Sequence, residues 1–76
     1  MKWIIEEYDG AWRPIDEESW SPDEIGSYII SHVLLGWVLI SAGPDAFVFE
    51  LTPDNPLHAK FKHYSKIHRF RRVAAS

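Results

Sequence analysis

Apolar and polar residues alternate near the start of the chain in the way that is typical of a β-hairpin. The dipeptide Asp9-Gly10 separates two short alternating runs and has the composition of a two-residue type I′ turn. The pattern therefore predicts a hairpin over residues 3–15, in which Glu6 lies opposite Arg13.

The second strand of this hairpin is expected at an edge of the sheet, because Pro14 cannot donate a backbone hydrogen bond. An acidic connection follows, formed by Asp16, Glu17 and Glu18. Its composition favours a solvated loop, and a contact patch for a basic partner is the alternative.

A helix is predicted to begin at Pro22, because the preceding residues form a capping box. Ser21 is a good N-cap, Pro22 suits the first helical position, and Glu24 can bond back to the cap. Gly36 is the expected stop. The helical spacing places one apolar face on Ile25, Tyr28, Ile29, His32 and Val33.

Two further strands follow the helix. Residues 37–42 are an apolar run of strand length, residues 43–45 have turn chemistry, and residues 46–51 are rich in aromatic and branched side chains. Alternation places Phe47 and Phe49 on the face that packs against the helix. This second hairpin is expected to form the centre of the core.

The C-terminal segment, residues 57–76, is predicted to be a short helix followed by a strand. Asn55 and Pro56 are helix-start residues, and residues 67–73 could return to the sheet as an outer strand. The chain from 1 to 76 is therefore expected to be one small α+β domain: an N-terminal hairpin, a central helix, a second hairpin and the C-terminal segment on a mainly antiparallel sheet.

Composition excludes several classes of protein. The absence of cysteine rules out disulfides and thiolate chemistry and favours a reducing, cytoplasmic setting. Residues 25–44 contain no Asp, Glu, Lys or Arg over the length of a membrane span, but serine, glycine and histidine dilute the run. A buried helix and strand explain it better, so membrane association is the least favoured hypothesis.

Charge is distributed very unevenly along the chain. Residues 1–56 carry two cations and eleven acids, a net charge of −9, whereas residues 57–76 carry +6 and no acid. Such asymmetry suggests an anionic partner for the C-terminal segment.

No constellation of catalytic, metal-binding or cofactor-binding residues is evident. His58, His63 and His68 are spaced by five, so they do not converge on one face of a helix or strand. His32 is expected to be a core histidine with a hydrogen-bond partner. The chain is therefore not expected to be an enzyme.

The leading hypothesis is a small regulator or inhibitor that docks onto a protein partner, such as a nucleic-acid-processing machine targeted by a phage or mobile element. The alternative is direct nucleic-acid binding through basic and aromatic residues. In either case the candidate contact residues are Lys60, Lys62, His63, Tyr64, Lys66, His68, Arg69, Arg71 and Arg72.

Overall fold

A single antiparallel sheet with its helices on one face organises the chain, which confirms the expected α+β class. The computed structural model describes residues 2–15 and 19–73. Its elements are β1 (Lys2–Tyr8), β2 (Trp12–Pro14), α1 (Pro22–Leu34), β3 (Val38–Ala42), β4 (Ala46–Glu50), α2 (Pro56–Lys60) and β5 (Ile67–Val73). The strands lie in the order β2-β1-β5-β4-β3.

The last strand occupies the centre of the sheet. The division of the C-terminal segment into a short helix and a strand is confirmed. The expected outer position is wrong, because β5 lies between β1 and β4, with Phe70 paired to Ile5 on one side and to Phe47 on the other. Phe70 is fully buried, and this burial favours the central position over an exposed edge.

The first hairpin forms with a longer turn than predicted. Tyr8 pairs with Trp12 and Glu7 pairs with Arg13, so the predicted register is wrong by one residue. A type I′ turn needs positive φ at both central residues, and Gly10 alone has one in this hairpin, at 76°. A three-residue turn results. The expected edge position of the strand that contains Pro14 is confirmed.

Local signals define both ends of α1. The capping box is present: Ser21 Oγ accepts a hydrogen bond from the Glu24 backbone, and the Glu24 carboxylate accepts one from the Ser21 backbone. The helix ends at Leu34, and Gly36 follows with φ of 89°. A Cβ at this glycine would lie 2.7 Å from Asn55 Nδ2, so both the conformation and the close approach require glycine.

The core lies between α1 and strands β1, β5 and β4. It is formed by Ile5, Ile25, Trp37, Phe49, Leu51 and Phe70.

The expectation that the second hairpin forms the centre of the core is correct only for β4, because every residue of β3 is exposed. Five strands about 4.8 Å apart make a sheet much wider than one helix, which is about 10 Å across. The helix therefore leaves β3 uncovered, and Val33, which was expected on its apolar face, is also exposed.

Candidate functional site

The basic segment does not form one continuous patch. His68 and Phe70 lie on the face of β5 that packs against the helix, whereas Arg69 and Arg71 alternate with them and lie on the opposite face. Arg72 pairs with Asp45 at the turn after β3. The other candidates, Lys60, Lys62, His63, Tyr64 and Lys66, precede the strand.

Several of these cations have partners within the protein. Arg69 and Arg71 both donate hydrogen bonds to the same oxygen of Glu6, at 2.9 and 3.0 Å. The Arg69 guanidinium also lies 4.2 Å from the centre of the Trp12 ring. Lys66 Nζ donates to the backbone carbonyl of Tyr64. The contacts of Arg69 and Arg71 hold the basic strand against the first half of the chain, whereas that of Lys66 lies within the C-terminal segment.

Glu6 is the buried centre of this charge network, with 5% of its surface exposed. Burial by itself raises the pKa of its carboxyl group. The hydrogen bonds from Arg71 and Arg69 and the positive charge of both side chains outweigh this effect, so the pKa lies below its ordinary value. Glu6 is therefore a charged anchor between β1 and β5.

The aromatic residues of the segment have different environments. Phe61 packs against the core, but Tyr64 is exposed. Asp16, Glu17 and Glu18, the acidic contact patch considered from the sequence, lie outside the described residues.

The structure has an exposed apolar surface that was not predicted from the sequence. Of the eleven large apolar side chains that are exposed among the described residues, seven lie between residues 30 and 40, and Leu34 is 80% exposed. We call these seven the apolar edge surface: Ile30, Val33, Leu34, Leu35, Val38, Leu39 and Ile40. The uncharged run over residues 25–44 was its only sequence signal, and that run was interpreted as buried.

The two edges of the sheet differ in their protection. At one edge, β2 has three residues and includes Arg13 and Pro14, two features that discourage further strand pairing. At the other edge, β3 has five residues, Val38–Ala42, without charge or proline. A shift in register between Leu39 and Ser41 is its only irregularity. The edge at β3 is therefore open to another strand.

A cavity of about 310 Å³ lies beside the core. Aromatic rings dominate its lining: Trp37 stacks on His68 with ring centres 4.4 Å apart, and Phe61 meets Tyr64 edge to face. The remaining lining residues are Glu7, Ile15, His32, Leu35 and Ser65.

Two histidines from distant parts of the chain meet at this cavity. His32 Nε2 and His68 Nδ1 are 2.9 Å apart, and His32 Nδ1 is 2.9 Å from the carbonyl oxygen of Tyr28. His32 thus has the hydrogen-bond partner expected from the sequence. Its pairing with His68 was not predicted, since no periodicity relates residues 36 positions apart.

Both histidines are neutral at pH 7. Burial lowers the pKa of His68 to about 4, with a further contribution from the charge of His32. Burial also lowers the pKa of His32, and its hydrogen bond to the Tyr28 carbonyl only partly opposes this effect. The pair therefore offers neutral nitrogen atoms to the cavity.

Residues 2–15 and 19–73 lack two other kinds of site. No helix there is long and apolar enough to cross a membrane. No group of three or more histidine or acidic side chains there could hold a metal ion.

The fold and these two features define a small α+β domain with an open apolar sheet edge and an aromatic cavity. Comparison with known proteins found no matching family, no matching curated protein and no matching solved structure.

Proposed function

We propose that the protein is a non-catalytic docking domain that binds an extended apolar segment of a protein partner along β3. The uncharged edge strand, all of whose residues are exposed, is the observation that carries this proposal. Such a domain acts by occupying its partner, which is how a small regulator or inhibitor works.

The backbone of β3 supports an extended segment as the occupant. One side of β3 pairs with β4, so the backbone N–H and C=O groups on its other side face outward. A partner strand that aligns with them continues the sheet and satisfies both sets of groups. A helix on the same edge would leave these groups without partners.

The side chains at this edge favour an apolar segment. Leu39 and Ile40 are each about half exposed. The end of α1, a few residues earlier in the chain, contributes further exposed apolar side chains. Exposed apolar area on this scale marks protein interaction sites in soluble domains. Its burial by a partner is the main expected source of binding free energy.

The charges next to the apolar edge surface favour a partner segment that is flanked by cations. Glu50 lies opposite Val38, and Asp54 precedes Asn55, whose side chain bonds to the carbonyl of Leu35. Residues 25–44 contribute no cation that would oppose such flanks. Opposite charges around an apolar centre steer association and select the partner.

Selection from a displayed library of random 12-residue peptides tests the proposal on the purified full chain. We expect enriched peptides with alternating apolar residues and with lysine or arginine at their ends. Ile40→Lys should weaken their binding at least tenfold, because it places a charge within the edge strand. Fluorescence anisotropy of the labelled peptides measures the affinity.

Tyr8→Lys is the matched control, since Tyr8 is also exposed but lies on β1, at the opposite side of the sheet. It should leave peptide affinity unchanged. The proposal would be overturned if no peptide is enriched, or if Ile40→Lys and Tyr8→Lys have equal effects. A dimer that Ile40→Lys dissociates, measured by sedimentation, would instead assign the edge to a second copy of the chain.

Salt dependence separates this proposal from direct nucleic-acid binding. If all six C-terminal cations met duplex phosphates, log affinity would fall against log salt with a slope of about −5. Arg69, Arg71 and Arg72 are paired with acids, and Lys66 bonds to a backbone carbonyl. We therefore expect weak duplex binding with a slope of about −2, from Lys60 and Lys62 alone. Tight binding with the steeper slope would favour the nucleic-acid function.

A further inference from the structure

We propose that the cavity beside His32, Trp37 and His68 binds a small aromatic molecule that carries an N–H or O–H donor. This site is distinct from the edge strand, because none of the residues of β3 lines the cavity, although Leu35 belongs to both the apolar edge surface and the cavity lining. It is therefore a second binding function of the same domain, and it stands independently of the proposed partner.

The size and walls of the cavity favour a small, flat, aromatic occupant. Its volume of about 310 Å³ lies at the lower end of the range for small-molecule sites. The rings of Trp37, Phe61 and Tyr64 provide apolar faces and edges against which a second aromatic ring can pack. Few polar groups accompany them, which is typical of sites where apolar contact supplies affinity and a single polar group sets orientation.

A chain of hydrogen bonds fixes that polar group as an acceptor. The carbonyl of Tyr28 can only accept, so Nδ1 of His32 carries the proton and donates to it. In a neutral ring the Nε2 of His32 must then accept, and its partner, Nδ1 of His68, must donate. The remaining nitrogen, Nε2 of His68, consequently holds a lone pair.

This lone pair is available to a ligand. No described residue donates a hydrogen bond to Nε2 of His68. Every fully buried polar side-chain atom of the described residues has a hydrogen-bond partner. Since Nε2 of His68 has none, it is not fully buried. Because His68 lines the cavity, a bound N–H or O–H group can reach this acceptor. Burial lowers the pKa of both rings, which keeps the acceptor neutral at pH 7.

The described residues of the cavity lining favour a neutral or positively charged ligand over an anion. Among the described lining residues Glu7 alone is acidic or basic apart from the two histidines, so a carboxylate or phosphate would meet its negative charge and find no cation in that lining. A neutral heteroaromatic molecule has no such penalty, and a single positive charge would be attracted by Glu7 and the aromatic faces.

Paired NMR titrations of the ¹⁵N-labelled full chain with indole and 1-methylindole test the proposal at pH 7. The probes share an aromatic skeleton, but only indole has an N–H donor. We expect saturable amide shifts around His32, Trp37, Ser65 and His68 with indole. We expect affinity for 1-methylindole to be about five- to tenfold lower, which corresponds to one hydrogen bond.

His68→Phe should remove the difference between the two probes, because phenylalanine retains a ring and lacks the acceptor. His63→Phe is the matched control, since His63 is exposed and does not line this cavity. It should leave the preference for indole intact.

The ring ¹⁵N chemical shifts of the wild-type protein give a test that needs no variant. They should report an unprotonated Nε2 and a protonated Nδ1 in His68. A protonated Nε2, equal affinity for the two probes, or no saturable shift with indole up to its solubility limit would each overturn the proposal.

Discussion

Glu6→Gln is expected to lower the free energy of unfolding by about 3 kcal/mol, a large part of the stability of a domain this small. Glutamine retains the shape of the side chain but leaves the guanidinium groups of Arg69 and Arg71 next to each other without a counter-charge. Loss of one partner of a buried ion pair costs about 3–5 kcal/mol, and the lower value applies because Arg71 is partly solvated. Urea unfolding followed by tryptophan fluorescence measures the change.

Two further variants separate this charge effect from a general loss of packing. Asp9→Asn breaks the exposed ion pair with Arg13 and should change stability by less than about 1 kcal/mol. Adding Arg71→Gln to Glu6→Gln should recover part of the loss, since it removes one of two like charges. A loss below about 1 kcal/mol for Glu6→Gln, or no recovery in the double variant, would contradict the role of Glu6 as a charged anchor.

A second large effect is expected on acidification from pH 7 to pH 5, which should lower the free energy of unfolding by about 1–2 kcal/mol. The pKa of His68 is lowered to about 4 in the folded protein, against about 6.5 in an unfolded chain. Between these values the unfolded chain binds more protons, so stability decreases as pH falls through this window. The lowered pKa of His32 acts in the same direction.

Urea unfolding at several pH values between 5 and 7 measures this dependence. Glu6 contributes little to the change in stability over this range, because its carboxyl pKa is lowered and the group loses its charge only at lower pH. Glu7 also lines the cavity. It is unchanged in the variants, so the difference between wild type and His68→Phe reports on His68. His68→Phe should reduce the dependence and His63→Phe should not. If the free energy of unfolding of the wild type is constant from pH 7 to pH 5, then His32 and His68 are not buried in their neutral forms as described.

The proposed docking edge and the cavity meet at Leu35, which belongs to the apolar edge surface and also lines the cavity. This residue lies directly after α1 and is held by the hydrogen bond from Asn55 to its carbonyl. Variants that test either proposal therefore leave Leu35 unchanged. Ile40 for the edge and His68 for the cavity each report on one site.

The basic C-terminal segment was predictable from the sequence only in part. Its division into helix and strand was predictable, because Asn55, Pro56 and the branched residues that follow act over a few positions. The tertiary contacts of its cations were not predictable. Arg69 and Arg71 resemble a phosphate-binding pattern in the sequence, yet they contact a carboxylate more than sixty positions away.

The apolar edge surface and the pairing of His32 with His68 were also not predictable from local sequence patterns. The uncharged residues around Ile40 could be either buried or exposed, since apolar composition does not tell how far a helix extends across a sheet. His32 was expected in the core, but its distant partner was not.

The sequence by itself determined most of the local structure of this protein, with the turn of the first hairpin as an exception. It specified the capping box at Ser21, the end of α1 shortly before Gly36, the edge strand at Pro14 and the α+β class, since these depend mainly on interactions between near neighbours. Only the tertiary structure decided that β5 lies at the centre of the sheet. That choice pairs Glu6 with two arginines, brings His68 to His32 and leaves β3 open, because strand order depends on how the whole chain buries its largest side chains.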